Sequence, residues 1–468
     1  MPYIPVTPAQ RDEMLRAIGV SSIGELFAPV PADLRFPALG LDEGLSEGET
    51  LDEIGALAEQ NADADRCRWF LGAGAYNHFI PAAVGALASR GEFLTAYTPY
   101  QSEVSQGSLQ AIFEYQSMTA ELMGLEVSNA GHYDGATALA EAVIMALRQG
   151  EGRNAKRVLL PRGLHPEYRA VLDTYLAAFD PVIETYDCSA AGAAAAVRGQ
   201  DLACLAASCP DFFGIIPGLE GAAEKVHEKG GLFIISADPV MLGLFKSPGA
   251  LGADIAVAEG QSLGNELNFG GPGLGIMAVS RELMRRIPGR IVGEARDGQG
   301  RRGFVLTLAA REQHIRREKA VSNICSNQGL AMLRTCIYLA LMGKQGLRRT
   351  AELCWHKSHY AAARLEERGF KVNAPGPAAE SSRREPFFKE FVLSLPEKGP
   401  GAEAASEQLF ARGIVPGLPL SRYFPDRRRE LLICVTEKNS RGDIDALVKA
   451  LGELYGDTAI RPGPEEFV

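Results

Sequence analysis

Four stretches of the sequence concentrate side chains that could do chemistry. The first, TAYTPYQSEVSQGSLQAIFEYQSM at Thr95–Met118, places hydroxyl, amide and carboxylate groups in a short loop before a predicted helix. Such a loop suits the orientation of a small polar ligand. The alternative, which these residues alone favour, is a polar loop that caps the helix. The candidate site residues in this loop are Tyr97, Tyr100, Gln101, Glu103, Ser105 and Gln106.

The second stretch, NAGHYDGATALAEAV at Asn129–Val143, is a glycine-containing turn that leads into a predicted helix. Free N–H groups at a helix N-terminus bind anions, and the small residues Gly135 and Thr137 suit such a site. Asp134, however, places a negative charge where a phosphate would lie. The residues therefore favour a simple N-cap over a phosphate site.

The third stretch contains the ends of two predicted strands, marked by Asp238 and by Glu259, followed by Gln261 and a GGPG turn. A strand-end aspartate that pairs with a pyridinium nitrogen, together with a lysine at a later strand end, is how a pyridoxal-phosphate site is laid out on an α/β sheet. No lysine lies between Lys246 and Lys319. For Asp238, a helix cap or strand-end turn is therefore favoured over a role in binding pyridoxal phosphate.

The fourth stretch, TLAAREQHIRREKAVSNICSNQGL at Thr307–Leu330, is rich in basic residues and includes Arg311 and His314. Arginine binds carboxylates and phosphates through two parallel hydrogen bonds. The alternative is a basic helical face that contacts solvent or a partner. A lone histidine in such a setting is more often structural than catalytic.

Composition excludes several classes of protein. Of the 468 residues, 46% are hydrophobic and 23% charged, a globular balance, and the net charge of −10 argues against broad nucleic-acid binding. No apolar run approaches the roughly 20 residues of a membrane helix, and the N-terminal residues lack the features of a secretory signal. We therefore expect a cytoplasmic protein that enters no membrane. The eight cysteines show no zinc spacing, so no metal is predicted.

The chain is predicted to be an α/β protein with three parts. Residues 1–62 are expected to form a helical arm, in which Thr7 and Ser22 have the spacing of helix caps and a third capped helix begins near Ser46 or Thr50. Apolar runs alternate with helices over residues 63–330, which indicates a mostly parallel sheet buried on both faces. Residues 331–468 are expected to begin with two successive helices and to form a smaller α/β domain, with a mobile loop at Ala374–Pro386.

Five motifs occur in one order and at compatible spacing, namely FLGAGAYNHFIP, YTPYQSEVSQGSLQ, GHYDGATALAEA, NFGGPGLG and REQHIRREKAVSNICSNQG. Together they resemble glycine decarboxylase, the P-protein of the glycine cleavage system, from about Ser46 to about Gly456. That family has a form in which one long chain carries two homologous halves and a form in which the halves are separate alpha and beta chains. The length and motifs here are similar to those of the alpha chain.

The resemblance implies a large domain of the fold type I, pyridoxal-phosphate-dependent transferase class. It also implies glycine decarboxylation with transfer of the aminomethyl group to the lipoyl arm of the H-protein. Gln261 stands where the cofactor lysine is expected, judged by its distance before GGPG, and a glutamine amide cannot form the covalent link. The resemblance therefore assigns pyridoxal phosphate to a beta-type partner in an α2β2 assembly, and no catalytic residue to this chain.

Two groups of site residues follow from the resemblance. Tyr97, Tyr100, Gln101 and Glu103 are expected to reach the active site of the partner, with Ser105, Gln106, Arg311 and His314 as further candidates at the interface. A vestigial cofactor site is expected at His132, Asp134, His165, Asp238 and Gln261.

Two other functions stay open on the sequence alone. One is a catalytically silent scaffold that stabilises the beta chain or docks the H-protein, which the missing lysine supports and the dense polar loop opposes. The other is a self-sufficient pyridoxal-phosphate enzyme that uses another lysine, such as Lys246. That lysine follows Asp238 closely and precedes the next predicted strand, which weakens this alternative.

Overall fold

The N-terminal residues contain two capped helices. The computed structural model describes residues 5–36, 38–94, 97–150, 155–268, 270–325, 327–373 and 385–456, and its contacts divide the chain into Met1–Ala62 and Asp63–Val468. Helices α1 (Pro8–Ile18) and α2 (Glu47–Ala58) begin after Thr7 and Ser46, as predicted. Each cap hydroxyl accepts a hydrogen bond from the third helical N–H, and the third side chain accepts one in return from the cap N–H.

The predicted helix cap at Ser22 is wrong. Residues Ile23–Phe27 form a 3-10 helix, and the Ser22 side chain makes no capping hydrogen bond. The Glu25 carboxylate reaches one residue further back, where it accepts from the N–H and the hydroxyl of Ser21. The spacing of a capping box is present, but two adjacent serines compete for the same carboxylate.

The larger unit contains helices that lie mostly between strands. They are α3 (Ala82–Ala88), α4 (Gly91–Leu94), α5 (Gln106–Met123), α6 (Gly135–Gly150), α7 (Pro166–Leu176), α8 (Ala190–Ala196), α9 (Ala222–Glu228), α10 (Gln313–Arg316), α11 (Gly329–Glu367), α12 (Ala402–Phe410) and α13 (Arg441–Tyr455). Helix α11 bends at Gly343, whose φ of 56° and ψ of −174° are not helical. That bend confirms the two successive helices predicted there, because glycine tolerates a positive φ.

The strands of this unit form two sheets and two smaller pairs. They are β1 (Arg68–Trp69), β2 (Val127–Ser128), β3 (Arg157–Pro161), β4 (Val182–Tyr186), β5 (Leu202–Cys209), β6 (Leu232–Ala237), β7 (Ile255–Glu259), β8 (Gly275–Val279), β9 (Ile291–Arg296), β10 (Arg302–Thr307), β11 (Lys371–Val372), β12 (Glu390–Ser394), β13 (Ile414–Val415), β14 (Leu418–Pro419) and β15 (Glu430–Cys434). Strands β9 and β10 pair antiparallel, and β1 pairs parallel with β13.

The large sheet has seven strands in the order β2–β8–β7–β6–β5–β3–β4. Strands β3 to β7 run parallel, whereas β8 runs antiparallel to both of its neighbours. The mostly parallel sheet is therefore confirmed. The ends of β6 and β7 are adjacent at the carboxyl edge of the sheet, the edge at which α/β proteins bind ligands. Asp238 and Glu259 both lie there.

Both faces of the large sheet are buried. In β6, Phe233 and Ile235 pack into one apolar cluster with residues of α5 and α11, whereas Leu232 and Ile234 pack into another with residues of α6 and α7. Side chains alternate between the faces of a strand, so a strand covered on both sides is apolar throughout. Each such side chain contributes about 1.5–3 kcal/mol when fully buried.

The smaller sheet has the order β11–β12–β15–β14 and is antiparallel. The end of α11 packs with α12 and α13 in the apolar cluster of this sheet. The predicted loop at Ala374–Pro386 lies outside the described residues except for Glu385 and Pro386. The domain boundary at residue 330 stays a prediction. Across the described ranges, no helix combines the length and apolar character that spanning a bilayer requires.

The close approach of two glycines provides a test of the fold. A Cβ atom on Gly249 would lie 1.8 Å from the carbonyl oxygen of Gly124, which ends α5. We expect Gly249→Ala to lower the free energy of unfolding by at least about 1–3 kcal/mol, because main-chain atoms would have to move. Gly85→Ala is the matched control, since nothing lies within 4 Å of a Cβ there. Inside α3 it should raise stability by about 0.5–1 kcal/mol. Equal urea midpoints for the two variants would contradict the packing.

Candidate functional site

Four of the five residues predicted for a vestigial cofactor site line two adjoining cavities. A small cavity of about 90 Å³ contacts His165, Asp238 and Glu259. A wider cleft of about 600 Å³ contacts Asp134, His165 and Gln261, together with the GGPG turn. The fifth candidate, His132, is fully buried beside Asn129 and lines neither cavity, and burial lowers its pKa to about 3. His132 is therefore a core histidine.

Asp238 forms a buried ion pair with a lysine that the sequence analysis did not consider. Lys389 Nζ lies 2.7 Å from Asp238 Oδ2, 3.0 Å from His78 Nε2 and 3.5 Å from the centre of the Tyr76 ring. Burial alone would raise the pKa of Asp238 and lower that of Lys389. Their mutual attraction outweighs burial and moves each pKa the opposite way. Both groups are therefore charged, although Lys389 is only 1% exposed.

The other carboxylate oxygen of Asp238 forms the strand-end turn that the sequence favoured for this residue. Asp238 Oδ1 accepts hydrogen bonds from the N–H groups of Val240 and Met241, at 2.9 and 3.2 Å. This arrangement closes the turn after β6. It leaves Oδ2 as the oxygen that faces Lys389.

A buried network continues from Lys389 toward α11. His78 Nδ1 lies 2.7 Å from Glu437 Oε2, and Cys354 Sγ lies 3.3 Å from the same oxygen. Burial alone would raise the pKa of Glu437, but His78 holds it at about 2. The ligand atoms of this triad lie within 4.8 Å of one another, close enough to surround a metal. The Lys389 ammonium beside His78 disfavours a second cation there.

Glu259 places its carboxylate at the N-terminus of α6. Its Oε2 accepts from the Gly135 N–H at 2.9 Å, and its Oε1 accepts from the N–H groups of Gln261 and Leu274 at 2.9 Å each. Burial nevertheless raises the pKa of this carboxyl to about 7. The helix terminus that was weighed as an anion site, and judged less favourable than an N-cap, therefore accepts a carboxylate of the protein itself.

Asp134 occupies the same helix terminus. Its Oδ1 accepts from the Thr137 N–H at 2.7 Å, which confirms the predicted N-cap. Tyr168 packs against Gly135, since a Cβ atom there would lie 2.3 Å from the tyrosine hydroxyl oxygen. A phosphate at this terminus would therefore meet two carboxylates.

Gln261 and His165 are both committed to backbone hydrogen bonds. The Gln261 oxygen accepts from the Tyr76 N–H at 2.8 Å, and its nitrogen donates to the carbonyls of Tyr76 and Asn265 at 3.1 and 2.8 Å. His165 caps α7 through Nδ1, and its Nε2 lies 2.9 Å from the Ala73 carbonyl. Burial lowers the pKa of His165, so the ring stays neutral.

The residues at this edge do not fit pyridoxal phosphate. A covalently held cofactor needs a lysine amine, an anion site for its phosphate and a carboxylate for its ring nitrogen. Gln261 has no amine, Glu259 fills the anion site, and Asp238 is paired with Lys389. The other lysine weighed for this role, Lys246, is exposed and lines neither cavity.

The exposed tyrosine loop and the basic fourth stretch meet in a second candidate region. The Tyr100 ring centre lies 6.2 Å from the His314 ring and 5.7 Å from the Arg290 guanidinium carbon. Tyr97 and Tyr100 are 90% and 59% exposed, and Gln101 and Glu103 are exposed as well. The structure thus brings two of the predicted stretches together at a surface.

The capping interpretation of this loop is not supported. Ser105 precedes α5 with a φ of −126° and makes no side-chain cap. The side chain of Gln106 instead pairs with Phe304 in β10, accepting from its N–H and donating to its carbonyl, at 2.9 Å each. Gln106 therefore anchors the loop to β10 and does not face a ligand.

Arg311 turns its guanidinium inward. It is 9% exposed and donates to the carbonyls of Gly289 and Leu308 at 2.9 and 3.1 Å, and also to that of Ile287. Three of its five N–H groups are thereby committed to backbone carbonyls. The His314 side chain, in contrast, is 45% exposed.

Arg290 is a buried cation that the sequence analysis missed. It donates to Asn327 Oδ1 at 3.1 Å and to the Cys325 carbonyl at 2.6 Å, beneath the Tyr100 ring. Its segment, PGRIVGEA, has no local excess of polar residues to draw attention to it. Lys389 did offer a signal, since it interrupts the aromatic run PFFKEF.

Removal of the buried lysine should be strongly destabilising. We expect Lys389→Met to lower the free energy of unfolding by about 3–5 kcal/mol, because Asp238 would remain as an unpaired buried charge. Asp238→Asn in the same chain should recover most of that loss. Lys438→Met is the control, since Lys438 pairs with the exposed Asp65 at 3.4 Å and should contribute less than about 1 kcal/mol. Urea unfolding measures all of these variants, and a double variant as unstable as the single one would contradict the pairing.

Glu259 should make stability depend on pH. The pKa of Glu259 is about 7 in the folded chain and near 4.3 in the unfolded chain. Between these two pH values, the folded chain therefore holds a proton that the unfolded chain has lost. The free energy of unfolding should therefore fall as the pH rises through this window and then level off. Glu259→Gln imitates the protonated form and should remove this part of the fall. Unfolding curves between about pH 4 and about pH 8 that coincide in shape for both chains would contradict the prediction.

Comparison with known sequences identifies close relatives. Residues 1–451 match the family described as glycine cleavage system P-protein. A chain from Thermomicrobium roseum named probable glycine dehydrogenase (decarboxylating) subunit 1 is 46% identical, covering 97% of this chain and 99% of its own length. The Desulfitobacterium hafniense chain of the same name is 47% identical, with 97% and 100% covered.

Solved structures give the same relationship. A crystal structure of glycine decarboxylase (P-protein) of the glycine cleavage system, in inhibitor-bound form, matches with a TM-score of 0.84 at 44% identity, covering 97% of this chain and all of that one. A C-DES mutant with glycine covalently linked to its PLP cofactor has a TM-score of 0.59 at 14% identity, with 84% of this chain and 100% of that chain covered, which is a likeness of fold alone. The expected fold class is confirmed, and the chain belongs to the glycine cleavage system P-protein family.

Proposed function

We propose that this chain is one subunit of a glycine-decarboxylating enzyme of glycine cleavage, and that a partner subunit carries the cofactor lysine. The observation that carries this proposal is the full-length similarity to relatives named subunit 1 of glycine dehydrogenase (decarboxylating). The absence of an amine at Gln261 and the occupied carboxyl edge support the second part. A chain of this kind needs a partner to complete the reaction.

The partner is a beta-type subunit, in an α2β2 assembly located in the cytoplasm. Pyridoxal phosphate, if held by that partner, would supply the electron sink that the loss of carbon dioxide from glycine requires. The aminomethyl group then passes to the lipoyl arm of the H-protein. The net charge of −10 is compatible with this small-molecule chemistry and argues against broad binding of nucleic acid.

The tyrosine loop is this chain's contribution to the active site of the partner. The hydroxyls of Tyr97 and Tyr100 and the amide of Gln101 can donate hydrogen bonds to a carboxylate, and the Glu103 carboxylate can accept from an ammonium. Glycine has both groups. Support comes from the exposure of these four side chains on a loop anchored by Gln106.

Arg290, His314 and Arg311 act as positioning residues for this loop. Arg290 and His314 lie against the Tyr100 ring, and the cation over the ring face attracts its π electrons. Arg311 donates to the carbonyl of Gly289, the residue before Arg290, and to the carbonyl of Leu308, which precedes His314 in the chain. A loop fixed before assembly loses less entropy when a partner binds to it.

The rival function is a silent scaffold that stabilises the beta chain or docks the H-protein. The buried side chains of Lys389 and Glu259 favour it, because they lie where the charged groups of a cofactor would bind. The exposed polar loop opposes it, because a scaffold has no need of a positioned cluster of tyrosine, glutamine and glutamate. Kinetics separate the two functions.

Tyrosine hydroxyls on the loop should matter for glycine decarboxylation. In the assembled enzyme, Tyr97→Phe or Tyr100→Phe should lower kcat/KM for glycine by about tenfold, the effect of one hydrogen bond of about 1.4 kcal/mol. Tyr360→Phe is the matched control, because its hydroxyl contacts Asp445 at 2.8 Å in the smaller-sheet region. Unchanged kinetics in both loop variants would leave only the scaffold function.

A further inference from the structure

The two charges that pyridoxal phosphate would bring to the carboxyl edge are both present as side chains. A helix N-terminus that could receive a phosphate accommodates Glu259, which accepts three backbone hydrogen bonds at 2.9 Å each. The aspartate that could receive a protonated ring nitrogen has Lys389 at 2.7 Å. Each of these side chains, when ionised, has the sign of the group whose place it takes, and Glu259 ionises as the pH rises through about 7.

Both side chains are held too well to be incidental. Lys389 contacts an aspartate oxygen, a histidine nitrogen and the face of Tyr76, and it is 1% exposed. An isolated charge at such a site would be strongly unfavourable, so each member of the ion pair stabilises the other. The glutamate uses both oxygens on N–H groups from three separate places in the chain.

Lys389 also joins the two sheets. It lies immediately before β12 of the smaller sheet, whereas Asp238 follows β6 of the larger one. The next residue, Glu390, holds the segment that lies between the two sheets by accepting from the Ala73 N–H and the Tyr76 hydroxyl, at 2.7 Å each. The sheets are thus bound together at the place where a cofactor would otherwise lie between them.

We propose that Glu259 and Lys389 replace the phosphate and the pyridinium of the cofactor, so that this site excludes pyridoxal phosphate by charge and contact, and not only by the loss of a lysine at position 261. The replaced charges keep the two sheets joined without a ligand. This inference rests on the proposed function in one respect, which is that the cofactor is bound by the partner. Its new content is that a lysine at position 261 does not by itself restore binding of pyridoxal phosphate to this chain.

The test restores one element at a time in the complex with the partner. The variants are Gln261→Lys; Gln261→Lys with Lys389→Met; and the triple variant that adds Glu259→Ser. Each complex is incubated with pyridoxal phosphate, or with pyridoxal as a probe that lacks the phosphate, and then reduced with borohydride. A lysine amine condenses with the aldehyde and releases one water. Hydride from borohydride then converts the carbon–nitrogen double bond into a stable amine, which peptide mass spectrometry locates.

The expected results differ for each variant. Gln261→Lys alone should be labelled at position 261 no more than an exposed lysine such as Lys246. The double variant should accept pyridoxal but not pyridoxal phosphate, since Glu259 still fills the helix terminus. The triple variant should accept pyridoxal phosphate, because Asp134, the carboxylate that remains at the helix terminus, is committed to the Thr137 N–H. Its label at position 261 should exceed that of the single variant at least about tenfold, a factor that corresponds to 1.4 kcal/mol.

Two results would overturn the inference. One is labelling of the Gln261→Lys variant to the same extent as the cofactor lysine of the partner. The other is a triple variant that assembles and keeps its circular dichroism but gains no label over the single variant. Should the triple variant fail to assemble, the double variant decides, because equal labelling by pyridoxal and pyridoxal phosphate would remove any role for Glu259. Label on the partner is read from its own peptide, so failure of the proposed function is distinguishable.

Discussion

A single buried ion pair constrains much of this molecule. Lys389 and Asp238 come from different sheets, and neither can remain charged in the interior without the other. The smaller sheet must therefore lie against the carboxyl edge of the larger one, with residues 73–78 between them. The hydrogen bonds of Glu390, the His78–Glu437 contact and the committed amide of Gln261 all depend on that placement.

Local patterns predicted the parts of the fold that local physics determines. Continuous apolar runs identified the buried strands of the large sheet, and the caps at Thr7 and Ser46 marked helix starts. The strand-end position of Asp238 was also readable, because a strand and its turn are neighbours in sequence. Ser22 shows the limit of such patterns, since a competing serine one residue earlier captured the glutamate.

Contacts between distant residues could not be predicted in this way. Lys389 reaches Asp238 across the intervening strands and helices, and no sequence pattern encodes which buried carboxylate a lysine meets. For the same reason, the sequence suggested a ligand-binding role for Arg311, whose guanidinium donates to backbone carbonyls of the chain. It also suggested a site role for Gln106, whose side chain hydrogen-bonds to the backbone of β10. Polar residue types identify hydrogen-bonding capacity, and only the tertiary structure decides whether that capacity is used internally.

The bend in α11 at Gly343 has a consequence for how the chain can be divided. Cys336 and Tyr338 before the bend, and Leu347 and Cys354 after it, cover one face of the large sheet, whereas Leu365 near the helix end enters the core of the smaller sheet. One bent helix therefore completes two cores. Expression of residues 63–330 as a separate fragment would strip the large sheet of this cover, and a proteolytic cut near the bend would leave two interiors open to water. The two sheets belong to one cooperative folding unit, and evolutionary exchange of either one alone would require a new covering helix.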